Sequence, residues 1–163
     1  MIKVEFTAAP IFARLDRAAR ALDDLTPLHQ EIGEYMVEAT RQRFIRGEAP
    51  DGSPWAPKKT ETIARYQERG DGYRPKPLIG PSGRLGREIA MFANGEMVEL
   101  GSALEYSAVM QDGAAKGAFG TDRGGRPIPW GAIPSRVWLG ISEADEGNIL
   151  DMTDEHIGAP FEE

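Results

Sequence analysis

The sequence predicts an α+β fold: N-terminal helices packed on a small antiparallel sheet, with one long irregular loop and an acidic C-terminal helix. Three observations predict it. Apolar residues recur at helical spacing through 10–46, an Asn94-Gly95 pair separates two short apolar runs, and a proline- and glycine-rich stretch lies between these regions. The 163 residues, 40% of them hydrophobic, suit a single domain over 1–163 with one core.

Ile2, Val4 and Phe6 alternate with Lys3 and Glu5, the period-2 signature of a half-buried strand. Pro10 suits a first helical turn, and Leu15, Ala18, Ala19, Leu22 and Leu25 follow at helical spacing. Thr26-Pro27 reads as an N-cap and first position of a second helix ending at Gly47. That helix puts Leu28, Ile32, Tyr35, Met36 and Ala39 on one face, with Val37 and Phe44 on nearly the opposite face. Two apolar lines require cover on both sides, from the same domain or from a partner.

Between 47 and 86 prolines stand at 50, 54, 57, 75, 77 and 81, and a helix is expected only over 60–69. Such a long, mostly irregular segment is either an assembly arm or binding loop, or a plain flexible loop. Asn94-Gly95 then predicts a hairpin over 87–101 with a two-residue type I′ turn. Its register would pair Ile89 with Leu100 and Met91 with Val98 on one face, Ala90 with Glu99 and Phe92 with Met97 on the other. A short helix over 104–111 ends at Asp112-Gly113, and the glycine-rich 114–131 is expected to be a mobile loop. Residues 137–141 read as a last strand. Ser142 and Asp145 form a capping-box pattern that opens an acidic helix with Ile149 and Met152 inward, and 158–163 read as a tail.

The net charge of −7 is unevenly distributed. No basic residue follows Arg136, and eight carboxylates there contribute −8, leaving 19 basic against 18 acidic groups in 1–136. The stretch 41–87 holds eleven Lys or Arg and five acids. These blocks are either solvated faces or the two ends of a polar subunit that meet each other or oppositely charged neighbours. A basic middle facing nucleic acid is a weaker reading, because regularly interleaved aromatics and zinc-finger spacing are missing.

The chain has no cysteine, which excludes a disulfide framework, a thiol nucleophile and a thiolate zinc site. No apolar run approaches the roughly 18–20 residues that span a bilayer, so no membrane contact is expected. Met1 to Glu5 has no basic segment leading into an apolar stretch, so no signal peptide is expected either. His29 and His156 lack paired histidine spacing and predict no metal site. Gly117, Gly120, Gly124 and Gly125 lack the context of a phosphate loop. Gly80-Pro81-Ser82-Gly83 is not the strand–serine–helix turn of a nucleophile elbow. No catalytic constellation emerges, and no cofactor is expected. Tryptophans beside prolines anchor either cores or interfaces. The core reading is favoured for Trp138, while the turn before Trp55 would allow its ring to face a neighbour.

Taken in order, several motifs resemble one family. Pro50-Asp51-Gly52-Ser53-Pro54-Trp55-Ala56-Pro57-Lys58-Lys59-Thr60 is a proline–aspartate–glycine turn leading to tryptophan and then a lysine- and threonine-rich stretch. Pro77-Leu78-Ile79 and Ser82-Gly83-Arg84-Leu85 follow before the hairpin. Val98, Gly101-Ser102, Tyr106 and Gln111-Asp112-Gly113 come next, and Ile133-Pro134-Ser135-Arg136-Val137-Trp138-Leu139-Gly140 lies near the C-terminus. This order is similar to that of the phage virion morphogenesis proteins, the tail completion proteins of Mu-like and related tailed phages. Ser107, Met110 and Val137-Trp138 depart from the family pattern in ways that change packing.

The resemblance implies a structural virion protein of the neck or tail end that completes tails and joins them to DNA-filled heads. It implies residence in the virion, and in the host cytoplasm during assembly. The implied neighbours are head–tail connector, portal-adaptor and tail-tube or tail-terminator proteins. Together with the charge split, it suggests a homo-oligomeric ring whose lumen would pass packaged DNA. Candidate interface residues are Val37, Phe44, Trp55, Lys58, Lys59, Arg136 and Trp138, and candidate DNA-channel residues are Arg123 and Arg126. The competing readings are a small metal-dependent hydrolase or nuclease built on Asp151 and Asp154, and a nucleic-acid-binding module.

Overall fold

The computed structural model describes residues 9–162, so the strand expected at Ile2–Phe6 lies outside the described residues. Within that range the fold is mixed α+β: six helices with a two-stranded antiparallel sheet packed against the second of them. The helices are α1 (Ala9–Asp23), α2 (Thr26–Arg46), α3 (Thr60–Glu68), α4 (Arg84–Arg87), α5 (Ser107–Asp112) and α6 (Glu143–Glu162). The strands are β1 (Ala90–Ala93) and β2 (Val98–Gly101).

The second helix is the axis of the molecule, touching both strands, α4 and α6. Its start differs from expectation: Leu25 is the N-cap, and the Asp24 carboxylate accepts the Thr26 N–H at 2.9 Å. It ends at Gly47 as the sequence predicts. There φ is 80°, a conformation that favours glycine, and the Gly47 N–H returns to the Arg43 carbonyl. Gly33 lets the hairpin lie close, since a Cβ there would sit 2.3 Å from Met91 Sδ.

Both apolar lines of α2 are covered by the chain itself. Val37 and Phe44 join Ala49, Trp55, Leu85, Ile89 and Trp138 in one buried cluster. Phe44 meets Trp55 edge-on with centroids 5.1 Å apart and lies 6.0 Å from Trp138. The first helix is less embedded: it lies along α6, and none of its residues is buried. Leu15 and Leu22, expected to face the core, are each more than half exposed.

The hairpin exists, but its register is shifted by two. Met91 pairs with Leu100 and Ala93 with Val98, leaving a four-residue loop over 94–97. Neither Asn94 nor Gly95 takes the positive φ required by a type I′ turn. Instead Asn94 Oδ1 accepts the N–H groups of Glu96 and Met97 at 2.8 and 2.9 Å, closing a wider turn. A shift of two preserves side-chain parity, so the expected faces survive the wrong partners.

The segment 137–141, expected as a last strand, forms none. The Gln111 side chain takes the place of a neighbouring strand: Oε1 accepts from the N–H groups of Trp138 (2.9 Å) and Leu139 (3.1 Å). Its Nε2 donates to the Leu139 carbonyl at 2.8 Å. Residues 158–162, read from sequence as part of a tail, continue α6 to Glu162. The stretch 114–131 folds back on itself, with a bridge between Thr121 and Pro127 and a Phe119 N–H to Ile128 carbonyl bond of 2.7 Å.

Candidate functional site

The start of the long segment is fastened down. Asp51 Oδ1 accepts from the Ser53 N–H and hydroxyl, the Ala49 N–H reaches the Ser53 carbonyl, and the Trp55 N–H reaches the Gly47 carbonyl. This tight turn drives Trp55 inward, where its Nε1 donates to the Val137 carbonyl at 2.7 Å. The sequence left this ring free to face a neighbour; within the subunit it is buried and packs in the core.

The other predicted interface residues divide by burial. Val37, Phe44 and Trp138 are buried beside Trp55, and Trp138 Nε1 donates to the Ser107 carbonyl at 3.2 Å. Arg136 is also buried, with Nε on the Ala56 carbonyl at 2.7 Å and one terminal nitrogen on the Pro57 carbonyl at 3.1 Å. All five are buried within the subunit. Local sequence could not separate them, because the same aromatic and arginine side chains serve cores and interfaces.

Lys58 is half-buried and ties two distant turns, donating from Nζ to the Arg74 carbonyl at 2.8 Å and the Ile79 carbonyl at 2.6 Å. Its ammonium also lies 4.9 Å from the centre of the Tyr66 ring. Burial, helped by the charges of Arg74 and Arg136, pulls its pKa below the usual lysine value. Lys59 is exposed and reaches the Ala132 carbonyl at 3.1 Å. Arg123 and Arg126 are exposed on the folded-back 114–131 segment. Arg126 and Arg65 approach the exposed Trp130 ring at 6.0 and 5.4 Å, forming a cationic and aromatic surface.

One buried ionic network was not visible in the sequence. Arg43 of α2 pairs with Asp145 of α6, their side chains 3% and 6% exposed, and donates a further bond to the Gly140 carbonyl at 2.7 Å. Asp145 also accepts the Ser142 N–H (2.8 Å), the Ser142 hydroxyl (2.6 Å) and the Tyr35 hydroxyl (2.9 Å). Asn148 completes the set by donating to Tyr35 at 2.8 Å. Burial acts to raise the Asp145 pKa, but the hydrogen bonds from Ser142 and Tyr35 and the Arg43 charge outweigh it and hold the carboxyl below its usual value. Burial is also the main reason that Tyr35 is pushed above the ordinary tyrosine value.

The capping box is real. Ser142 Oγ accepts the Asp145 N–H at 3.1 Å while Asp145 takes the Ser142 N–H in return. One carboxylate therefore caps α6 and locks it to α2. The signal in the sequence was the capping box alone; nothing local identified Arg43 as its partner.

Surface grooves surround this frame. One of about 1170 Å³ runs past the ionic network, between α2, the 49–56 turn and 135–145. One of about 720 Å³ lies between α3 and 130–136, lined by Lys59, Arg65, Tyr66 and Trp130. Another, about 420 Å³, has a floor of Phe44, Ile45, Leu78 and Ile79 and a rim of Arg41, Lys76 and Arg87. His29 and His156 take structural positions, with ring nitrogens on the Asn94 carbonyl (2.6 Å) and the Ala21 carbonyl (3.1 Å). Among the described residues no group of three His, Cys, Asp or Glu is arranged to hold a metal, and no helix is long and apolar enough to cross a membrane.

Residues 7–158 match the model of the phage virion morphogenesis family, and the chain belongs to that family. No curated protein and no solved structure matched the chain.

Proposed function

We propose that the protein is a structural component of the phage neck or tail end, needed to complete tails and join them to heads, and that it acts by oligomeric assembly rather than catalysis. Membership of the virion morphogenesis family over 7–158 carries this reading. The placement of charge supports it: α6 carries exposed acids, and Arg41, Lys76 and Arg87 rim a groove that no described residue of α6 lines. Head-to-tail contacts between such subunits close into a ring when the rotation per contact permits. Connector, portal-adaptor and tail-tube or tail-terminator proteins are its proposed neighbours. Arg123 and Arg126 are proposed to line the passage for DNA.

Deleting the gene from the phage tests the reading. Electron micrographs of the lysate should show DNA-filled heads beside unjoined or overlong tails, and normal infectious particles would overturn it. Reversing the charge of Arg123 and Arg126 should leave joined particles that pass DNA poorly. Loss of joining instead would assign that surface to a neighbouring subunit.

A further inference from the structure

We infer that the groove floored by Phe44, Ile45, Leu78 and Ile79 receives the outer face of α6 from a second copy of this chain. The inference rests on the assembly reading above and specifies its contact. Arg41, Lys76 and Arg87 supply a rim of one sign, and no acidic residue lines the groove among the described residues. Lys76 reaches the Ile45 carbonyl at 3.3 Å, which holds its charge beside the apolar floor.

The chain itself carries a matching ligand. Leu150 and Ile157 on α6 are 59% and 42% exposed. They are seven residues apart, so they share one face about 10.5 Å apart along the axis. Glu143 and Asp154 fall on that same outward line, and Asp151 flanks it. Ile149, Met152 and His156 occupy the opposite, inward side. Two turns of helix about 10.5 Å in diameter fill roughly 900 Å³. A groove of about 420 Å³ therefore admits one face of such a helix, with the acids left to meet the rim.

The placement of the two surfaces makes the contact head-to-tail. Tyr35 and Arg43, which bond to Asp145 of α6, lie on one side of α2. At about 100° per residue, Arg41 and Ile45 lie on the other side. A subunit cannot fill its own groove with its own α6 while the Arg43–Asp145 pair stands. Each copy instead offers one donor face and one acceptor groove, the heterologous arrangement that closes into rings.

The absence of native cysteine allows a direct test. Ile45→Cys and Leu150→Cys, both at exposed positions, are introduced into separate copies, mixed and oxidised. The expected product is a disulfide that joins the Ile45→Cys copy to the Leu150→Cys copy, in excess over either homodimer. Arg41→Glu with Lys76→Glu in the first copy should lower its yield at least about tenfold. Asp151→Lys with Asp154→Lys in the second copy should do the same, and combining both sets should restore the cross-link. Homodimers equal in yield to the mixed product, or no recovery in the charge-swapped pair, would overturn the contact. Sedimentation of the unmodified protein, alone and in infected-cell extract, separates the two levels. Oligomers without the cross-link reject this groove but keep the assembly role; a monomer under every condition rejects both.

Discussion

Replacing Asp145 with alanine removes the acceptor for Arg43, Tyr35 and Ser142 in one step. The arginine side chain is only 3% exposed, so its charge stays buried against the neutral Gly140 carbonyl. Removing one member of a buried ion pair costs about 3–5 kcal/mol, because the uncompensated charge remains out of water. The Ser142 N–H also loses its acceptor, the Asp145 half of the capping box, which adds about 1 kcal/mol. At about 2–4 °C per kcal/mol for a chain of this size, the melting temperature should fall by roughly 10 °C or more.

Denaturant titration followed by circular dichroism measures the free energy, and Arg43→Met with Asp145→Leu is the control. Removing both charges should recover much of the loss, since a buried pair is worth little net of its desolvation. A single-variant loss below about 1 kcal/mol would refute the claim that this network locks α6 to α2. The pH dependence gives a second check. The folded pKa of Asp145 is held below the unfolded value of about 3.9, so its stabilisation is present above that value and is lost as pH falls through the folded pKa. Asp145→Asn should flatten that part of the acid-unfolding curve.

Two further substitutions probe the irregular half of the molecule. Gly113→Ala should destabilise by about 2 kcal/mol or more by thermal melting, because φ is 77° and the new Cβ would lie 2.6 Å from the Ile133 carbonyl oxygen and the Ser135 nitrogen, both immovable backbone. Gln111→Leu should cost about 2–4 kcal/mol in denaturant titration, since it removes three hydrogen bonds to 138–139 and leaves backbone groups unpaired; faster amide exchange at Trp138 and Leu139 would locate the effect.

Elements governed by neighbours in sequence were legible. Apolar spacing found α2, Gly47 marked its end, and Ser142 with Asp145 marked the start of α6. The helix over 60–69 appeared as α3 because its local pattern sufficed. Two of the failures share one cause: a side chain took over a role that local pattern gives to backbone or solvent. Asn94 captured two amide groups and widened the turn, which moved the register. Gln111 satisfied the backbone of 138–139, so no second strand was needed there. Arg43 and Asp145 are 102 residues apart, beyond any local pattern. Trp55 and Trp138 looked the same as interface residues because a buried ring and a docking ring have the same composition. The turn at 49–53 carries the Trp55 ring into the core.

A structural part is consumed in fixed proportion, whereas a catalyst is not, and that difference offers the most direct test of an assembly role. Purified protein is titrated into an extract of phage-infected cells lacking its gene, and infectious particles are counted while the protein retained per particle is measured. The account predicts a linear rise that saturates at a fixed number of copies retained in every finished particle. Full rescue by far less than one copy per particle, with none retained, would contradict it.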